Sequence, residues 1–286
     1  MILFNKTIEL ILLFLYVFGV SFSGTPVNST KLSFILFFLY FLFSNIHNKD
    51  GARFDNQLLL YLLYFTLLLV FSVLYPVVHE TYDFSMAYSY VMIIIESLIG
   101  GWLVHYALFR KYKLKKILDY IIAICFIQAL IILLMYVDSN FREFIFSITN
   151  STSESLFNRY KGFRGLGLAS SVTYDLSVTL SVGMMFISYI ICTDFRKRKL
   201  YYVIAWLVTL LAILMTGRSG LLGVIFSLII PVFFFGSKLA LKNIAFFIFI
   251  SGILLLLGML ILDSEIYKFI DLIIPYAFEF IINFND

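Results

Sequence analysis

The sequence predicts an all-α, polytopic integral membrane protein. Of its 286 residues, 62% are hydrophobic and only 13% are charged, and the mean hydropathy is +1.00. Close to half of a typical globular chain is polar, so a soluble domain could not bury this much apolar surface. Several apolar windows reach the length of about 20 residues that a spanning helix needs. The alternating segments of about 10 residues that are typical of membrane β-strands are not seen.

Nine apolar segments predict about nine transmembrane helices in a single transmembrane helical domain over 1–286. The segments are 7–23, 31–46, 57–78, 84–109, 114–136, 167–193, 200–216, 219–236 and 243–262. The first has the features of a signal peptide, since Lys6 precedes an apolar core, but eight further spans would hold the chain in the membrane in any case. Cys125 and Cys192 lie inside apolar segments and are interpreted as small buried hydrophobic residues, not as a disulfide or a metal pair.

Two basic runs set the predicted orientation. Cytoplasmic loops of membrane proteins are enriched in Lys and Arg, and "RKYKLKK" (110–116) and "DFRKRKL" (194–200) both fall on the cytoplasmic side if the N-terminus is cytoplasmic. The runs are therefore topology anchors, not a nucleic-acid surface. This orientation makes 137–166 a long outer loop. It also places 263–286 outside, as an interfacial helix or the start of a second outer loop, because acids there are mixed with aromatic residues.

The end of the long loop carries an unusual group of charges. The stretch "NRYKGFRGLGLASS" combines Arg159, Lys161 and Arg164 with Gly162, Gly165 and Gly167. Such a cluster can be a solvated loop edge that meets lipid phosphates. These cations, however, lie on the side where cations are scarce. Glycine also lets backbone N–H groups approach a ligand closely, and guanidinium groups bind phosphate through paired hydrogen bonds. A diphosphate at the membrane surface would fit this site, beside the start of a helix.

A second arginine lies in the tight turn of "MTGRSGLLG" (215–223). Arg218 is flanked there by Gly217 and Gly220. Its side chain either snorkels to the outer headgroups or makes a second phosphate contact. An arginine at the centre of a membrane helix costs about 2.5–3.5 kcal/mol on insertion scales, and a short turn leaves it little room to move away. The two interpretations are evenly balanced.

Acidic residues within spans are the remaining candidates. Asp175 is expected roughly two turns into the sixth span, on one face with Ser171 and Thr179. An acid within a span is a functional hypothesis by default and faces the bundle interior, while the alternative is an acid paired for packing. Glu96 in the fourth segment has the same two interpretations. Asp119 is expected to form a local ion pair with the lysines one turn earlier.

Motifs for cofactors are absent from the sequence. It contains no Walker loop, dinucleotide fingerprint, Cys/His metal array or nucleophile elbow, so neither a metal nor a cofactor is expected. The "HETYD" run (79–83) has no second histidine at ligand spacing. A solvated loop is therefore a better interpretation of this run than a metal site.

Three of these stretches together resemble a known family. "RYKGFRGLGLASSVTYDLS" after a long outer loop, "LMTGRSGLLG" and "YAFEFIINF", in a chain of many spans, look like bacterial O-antigen polymerases of the Wzy type. Those enzymes belong to a superfamily shared with O-antigen ligases. Family members have more spans and two large periplasmic loops, so the resemblance implies that this chain is shortened at its C-terminal side.

The resemblance implies a reaction at the periplasmic face of the bacterial inner membrane. Oligosaccharide repeat units carried on undecaprenyl diphosphate are joined, and Arg164, Arg159 and Arg218 would hold the diphosphate, with Gly165 giving backbone access. Asp175 is a speculative base, since arginine does not deprotonate in proteins. No metal or nucleotide would be needed. The implied partners are the lipid-linked glycan donor and acceptor and the bilayer, with a chain-length regulator and a flippase as candidate protein partners.

Two alternatives stay open. An O-antigen ligase would use the same donor with a lipid A core acceptor, and ligases of this superfamily use a histidine in the second large loop. A non-enzymatic transporter or flippase of lipid-linked oligosaccharide would show repeated halves, mid-membrane polar residues and broken helices. The spans here are mostly uninterrupted and the charges concentrate at the outer border, which favours chemistry at one face.

Overall fold

A computed structural model describes residues 6–25, 28–47, 56–109, 112–149, 167–169, 173–194, 199–217, 219–235 and 245. Every regular element in these ranges is helical, which confirms the predicted all-α class for this part of the chain. The predicted site residues Arg159, Arg164, Gly165 and Arg218 lie outside the described residues. So do 263–286 and, apart from residue 245, the ninth predicted span.

The helix boundaries follow the predicted spans closely. The helices are α1 (Lys6–Phe18), α2 (Ser29–His47), α3 (Asn56–Val78), α4 (Ser85–Met92), a π-helical segment (Ile93–Ile99), α5 (Gly100–Phe109), α6 (Leu114–Val137), α7 (Ser139–Ile148), α8 (Thr173–Asp194), α9 (Lys199–Thr216) and α10 (Ser219–Phe235). Two differences matter for function. The sixth predicted span begins as a helix at Thr173 and not at 167, and α7 lies within the predicted loop 137–166.

Three helical stretches of the described chain are long and apolar enough to cross a membrane: Asn56–Val78, Ser85–Leu108 and Leu114–Val137. The remaining apolar helices in the described ranges are shorter. Large apolar side chains are exposed around α3, among them Leu60, Phe71 and Val78. A helix that is apolar on all sides has the surface expected in hydrocarbon. The chain is therefore a membrane protein, while the count of nine spans and the orientation stay predictions.

The described helices group into two compact units. Unit 1 comprises Met1–Gly19 and Pro26–Ile117, and unit 2 comprises Val20–Thr25 and Leu118–Asp286. The prediction of one transmembrane domain over 1–286 stays a prediction. In unit 1, Leu12 of α1, Phe37 of α2, and Leu103 and Ala107 of α5 form a buried apolar cluster. This cluster packs the first two helices against α5.

A π-helical segment interrupts the fourth predicted span in unit 1. The backbone N–H of Gly100 donates to the carbonyls of Ile95 and Ser97, so it does not take the carbonyl of Glu96, which would be its partner in an α-helix. The Tyr16 hydroxyl of α1 donates a hydrogen bond to that Glu96 carbonyl. A Cβ on Gly100 would lie only 2.6 Å from the same hydroxyl oxygen. The absence of a side chain at Gly100 thus lets Tyr16 reach the carbonyl that the π-helix leaves available.

Tyr16→Phe is expected to destabilise unit 1 by about 1–3 kcal/mol, because it removes the donor from a partly buried carbonyl. Tyr64→Phe is the matched control, since Tyr64 is exposed on α3, and its change is expected to stay within about 0.5 kcal/mol. Thermal unfolding of both variants in detergent micelles measures the difference. Equal melting temperatures for the two variants would contradict the proposed importance of the Tyr16–Glu96 bond.

In unit 2, α8 and α10 run parallel. The hydroxyls of Ser177 and Ser219 hydrogen-bond at 2.7 Å, and four residues further along each helix Gly223 packs against Ser181. Helix α9 connects the end of α8 to the start of α10, so it runs antiparallel to both. Small residues at a spacing of four allow such close backbone approach between membrane helices.

Helix α6 runs antiparallel to α8. Near its start, Asp119 accepts a hydrogen bond from the Tyr202 hydroxyl of α9 at 2.7 Å, and at mid-helix Cys125 packs against Gly183 of α8. Asp119 therefore joins α6 to α9, and its expected local ion pair with the lysines one turn earlier stays a prediction. The end of α6, the start of α8, the end of α9 and the start of α10 consequently share one end of unit 2, which we call the loop end.

Helix α7 extends from the loop end. The Asp138 side chain accepts a hydrogen bond from the backbone N–H of Asn140 at 2.8 Å, which caps the helix start. On one face of the helix Ile145 is buried. At its end, the carbonyl of Ile148 accepts the N–H of Ser23 at 2.8 Å. Because α7 is amphipathic, its residues do not form a continuous apolar segment, and the sequence therefore predicts a loop here.

Candidate functional site at the loop end of unit 2

A short buried segment precedes α8. Gly167, Leu168 and Ala169 are not helical, and Gly167 and Ala169 are buried. Gly167 has φ +57°, which strongly favours glycine. A Cβ at this position would lie 2.6 Å from Nε2 of Gln128 and 3.1 Å from Cγ1 of Ile132, both on α6. The segment therefore packs directly on α6, and glycine provides both the conformation and the space.

This segment lies below the end of α6. Ile132 and Gln128 precede Val137, the last residue of α6, by five and nine residues, or about 8 and 14 Å along the helix. Thr173 precedes Gly183 by ten residues, about 15 Å along α8. Because Gly183 packs against Cys125, α8 begins close to the level at which α6 ends. Residues 167–169 therefore lie deeper in the bundle than the start of α8.

Asp175 lies in the first turn of α8, because this helix begins at Thr173. The predicted depth of two turns is therefore wrong. Its side chain is exposed, on the opposite side of α8 from Ser177, which contacts α10. The Thr179 hydroxyl donates to the Asp175 backbone carbonyl at 2.8 Å. An acid in the first turn also interacts favourably with the positive end of the helix dipole. Asp175 is thus accessible at the loop end and does not face the bundle interior.

The turn between α9 and α10 lies beside the start of α8. The N–H of Gly217 donates to the Ile213 carbonyl at 3.1 Å, and that of Gly220 donates to the Gly217 carbonyl at 3.3 Å. A Cβ on Gly220 would lie 2.8 Å from the backbone oxygen of Ser177. Ser219 and Gly220, which follow Arg218, are therefore packed against the helix that carries Asp175.

The loop end thus brings together chain segments that are far apart in sequence. It contains the buried segment 167–169, Asp175, and the flanks Gly217 and Ser219 of the predicted phosphate contact. Glu96 belongs to unit 1. Among the residues the structure describes, no group of three or more His, Cys, Asp or Glu side chains could hold a metal ion.

The "HETYD" run has a structural role at its last residue. The backbone N–H of Ser85, the first residue of α4, donates to Oδ1 of Asp83 at 3.0 Å. This hydrogen bond lowers the pKa of the Asp83 carboxyl from its ordinary value, because it favours the ionised form. The ring of His79 lies against that of Tyr75, 4.3 Å between centroids. The run therefore connects α3 to α4, and Asp83 stabilises the start of α4.

Two polar residues were not selected from the sequence. Gln128 is fully buried in the middle of α6. A single neutral amide within an apolar segment is the sequence feature that could have identified it.

Glu9 of α1 is only 4% exposed and accepts a hydrogen bond from the Tyr112 hydroxyl at 2.6 Å. The Nζ of Lys116 lies 4.3 Å from the centroid of the Tyr112 ring. The presence of an acidic residue within the first predicted span is the sequence feature that could have identified Glu9 as a buried polar residue.

Comparison with known proteins gives no relative. No protein-family model, no curated protein and no solved structure matches the chain.

Proposed function

We propose that the protein is a membrane glycosyltransferase that polymerises oligosaccharide repeat units linked to undecaprenyl diphosphate. The observation that supports this most is the hydrogen bond between Ser177 and Ser219 at the loop end. It connects the helix that follows the arginine- and glycine-rich stretch to the turn that carries Arg218. A site that clamps a diphosphate needs cations from both segments, and packing in unit 2 favours their convergence.

The proposed chemistry needs only groups that the chain and its substrates supply. The bond between the anomeric carbon of the growing glycan and the diphosphate breaks, and the diphosphate leaves with the bonding electrons. A hydroxyl of the next lipid-linked unit forms the new glycosidic bond and loses its proton to a base. Arg164, Arg159 and Arg218 stabilise the charge on the leaving diphosphate, with Gly165 giving backbone access. Asp175, exposed at the loop end, is the candidate base.

The proposed setting is the bacterial inner membrane, with the loop end at the periplasmic face. Donor and acceptor are both anchored there by polyprenyl chains, so both reach the site from the bilayer. A flippase would deliver the repeat units to that face. A chain-length regulator would set the extent of polymerisation.

Polymerisation in proteoliposomes tests the proposal. Purified protein is mixed with a lipid-linked repeat unit of the host glycan, and the products are separated by gel electrophoresis. We expect a ladder of glycans and stoichiometric release of undecaprenyl diphosphate. We also expect the reaction to persist after EDTA treatment, because no metal participates. Liposomes without protein are the control.

The same assay separates the alternatives. Transfer that occurs only after addition of a lipid A core acceptor would indicate a ligase and contradict polymerisation. Movement of the repeat unit between leaflets without a new glycosidic bond would indicate a transporter.

A further inference from the structure

The contact between Gly167 and Gln128 has a consequence for the proposed diphosphate site. We propose that Gly167 and Gln128 form a seat that holds residues 167–169, which follow the arginine-bearing stretch in the sequence, against α6 in unit 2, with Gln128 as a positioning residue. This inference rests on the proposed function for its catalytic consequence but not for its structural part. The seat consists of Gly167 and Ala169 on the segment and of Gln128 and Ile132 on α6.

Depth is the first argument for the seat. Non-helical backbone at membrane depth is tolerated only where it is buried in protein or lines a water-filled cavity. The segment 167–169 is non-helical, lies about 8–14 Å below the end of α6, and is largely buried. The packing of unit 2 therefore determines the position of residues 167–169. This buried position distinguishes the segment from an ordinary solvent-exposed loop.

The fit of the residues is the second argument. Gly167 adopts φ +57°, and its missing Cβ leaves room for the Gln128 amide and the Ile132 side chain. Glutamine provides both donors and an acceptor without a charge, so it can face an irregular backbone at lower cost than an ionised residue. Ala169 is fully buried on the same segment. A larger side chain at 167 would displace the segment from α6.

Reach is the third argument. Arg164 precedes Gly167 by three residues, and a chain of that length spans at most about 11 Å. Any displacement of Gly167 therefore changes the region that the Arg164 guanidinium can occupy. A misplacement of about 1 Å can cost about 100-fold in rate. Gln128, which contacts Gly167 and not the substrate, would act on the reaction through Arg164.

Thiol labelling tests the seat without any activity. Leu168→Cys is introduced into a chain whose native cysteines are alanine, and its reaction with a membrane-impermeant maleimide is timed against Ser153→Cys. We expect slow labelling at 168, and Gly167→Ala should accelerate it about tenfold or more by overpacking the seat. Adding Gln128→Ala to Gly167→Ala should slow the reaction again by making room for the new Cβ.

Gly100→Ala is the matched control, since it overpacks a buried glycine that belongs to unit 1. Labelling at 168 should not change with this control. Unchanged labelling in Gly167→Ala, or equal acceleration in Gly100→Ala, would overturn the seat. Failure of Gln128→Ala to slow the labelling would overturn the role of Gln128 and assign the effect to backbone strain.

The polymerisation assay then tests the catalytic consequence. Gln128→Ala should lower kcat about 10- to 100-fold with little change in KM, because it misplaces a group that acts in the transition state. Gln128→Asn, which retains the amide, should recover part of the rate. Equal loss with both variants, in step with the amount of folded protein, would indicate a purely structural role. Seat-dependent labelling in a protein that makes no polymer would support the seat and refute the proposed function.

Discussion

Arg218→Ala and Arg164→Ala are each expected to reduce polymer formation about 100- to 1,000-fold, the usual effect of removing one preorganised donor from a developing negative charge. The physical reason is that a diphosphate leaves in the proposed reaction, and the negative charge that develops on it must be balanced. Arg218→Lys should recover only part of the loss, because lysine keeps the charge but not the paired hydrogen bonds of the guanidinium. Glycan ladders from a deletion strain that expresses each variant measure the effect.

Arg142→Ala provides the matched control for this experiment. Arg142 lies on α7, and its guanidinium donates to the Met135 carbonyl near the end of α6 at 3.3 Å. Its removal should change polymer formation by less than about threefold, since the Arg142 guanidinium is engaged at the Met135 carbonyl and is not one of the proposed diphosphate contacts. Membrane levels of all variants are compared by immunoblot. Normal ladders from both Arg164→Ala and Arg218→Ala at normal protein levels would eliminate the diphosphate clamp.

The second large effect concerns the packing between α8 and α10. Gly223→Ala is expected to destabilise unit 2 by about 1–3 kcal/mol. A Cβ on Gly223 would overlap Oγ and Cβ of Ser181 and lie 3.5 Å from its Cα, so rotation of the serine hydroxyl alone cannot relieve the contact. The two helices would have to separate. That separation would strain the Ser177–Ser219 hydrogen bond and displace the turn at Gly217.

Gly101→Ala is the corresponding control. A Cβ on Gly101 in α5 would have no neighbour within 4 Å. Alanine is a better helix former than glycine by about 1 kcal/mol, so this variant should be as stable as the parent or more so. Thermal unfolding in micelles should therefore show opposite shifts for the two substitutions. Ser181→Gly, combined with Gly223→Ala, should recover much of the loss. A melting temperature for Gly223→Ala equal to that of Gly101→Ala would refute close packing at this contact.

Hydropathy was sufficient to locate most of the helices. The third and fifth predicted spans, 57–78 and 114–136, coincide with α3 and α6 within a residue at each end, because a long apolar run in a membrane has few alternatives to a helix. Composition could not locate the start of α8. The apolar residues from Leu166 to Ala169 would suit a helix and a non-helical segment equally. Only the positive φ of Gly167 and its contact with Gln128 show that residues 167–169 are not helical.

The candidate site was predictable only in part. Sequence identified Asp175 and the turn at Arg218, and the Ser177–Ser219 contact brings their chain segments together. The side of α8 on which Asp175 is exposed depends on which face packs against α10, and that in turn depends on Gly220 and Gly223. Such pairings between distant segments leave no local periodicity. The sequence does not indicate a role for Gln128 for the same reason, because its contact partner Gly167 lies 39 residues away in the chain.

The π-helical segment in unit 1 has a geometric consequence for the rest of its helix. A π-turn holds one residue more than an α-turn, so α5 is rotated by about 100° from the direction that an unbroken α-helix would give it. In this rotated orientation, Leu103 and Ala107 face the apolar cluster. Uniform α-helical winding of the same residues would turn a different face of α5 towards α2, whereas deletion of a single residue from Ile93–Ile99 would restore uniform winding and leave Leu103 and Ala107 facing the cluster. The extra residue thus sets which face of α5 packs against α2, and the hydrogen bond from Tyr16 to the Glu96 carbonyl stabilises the π-helical segment.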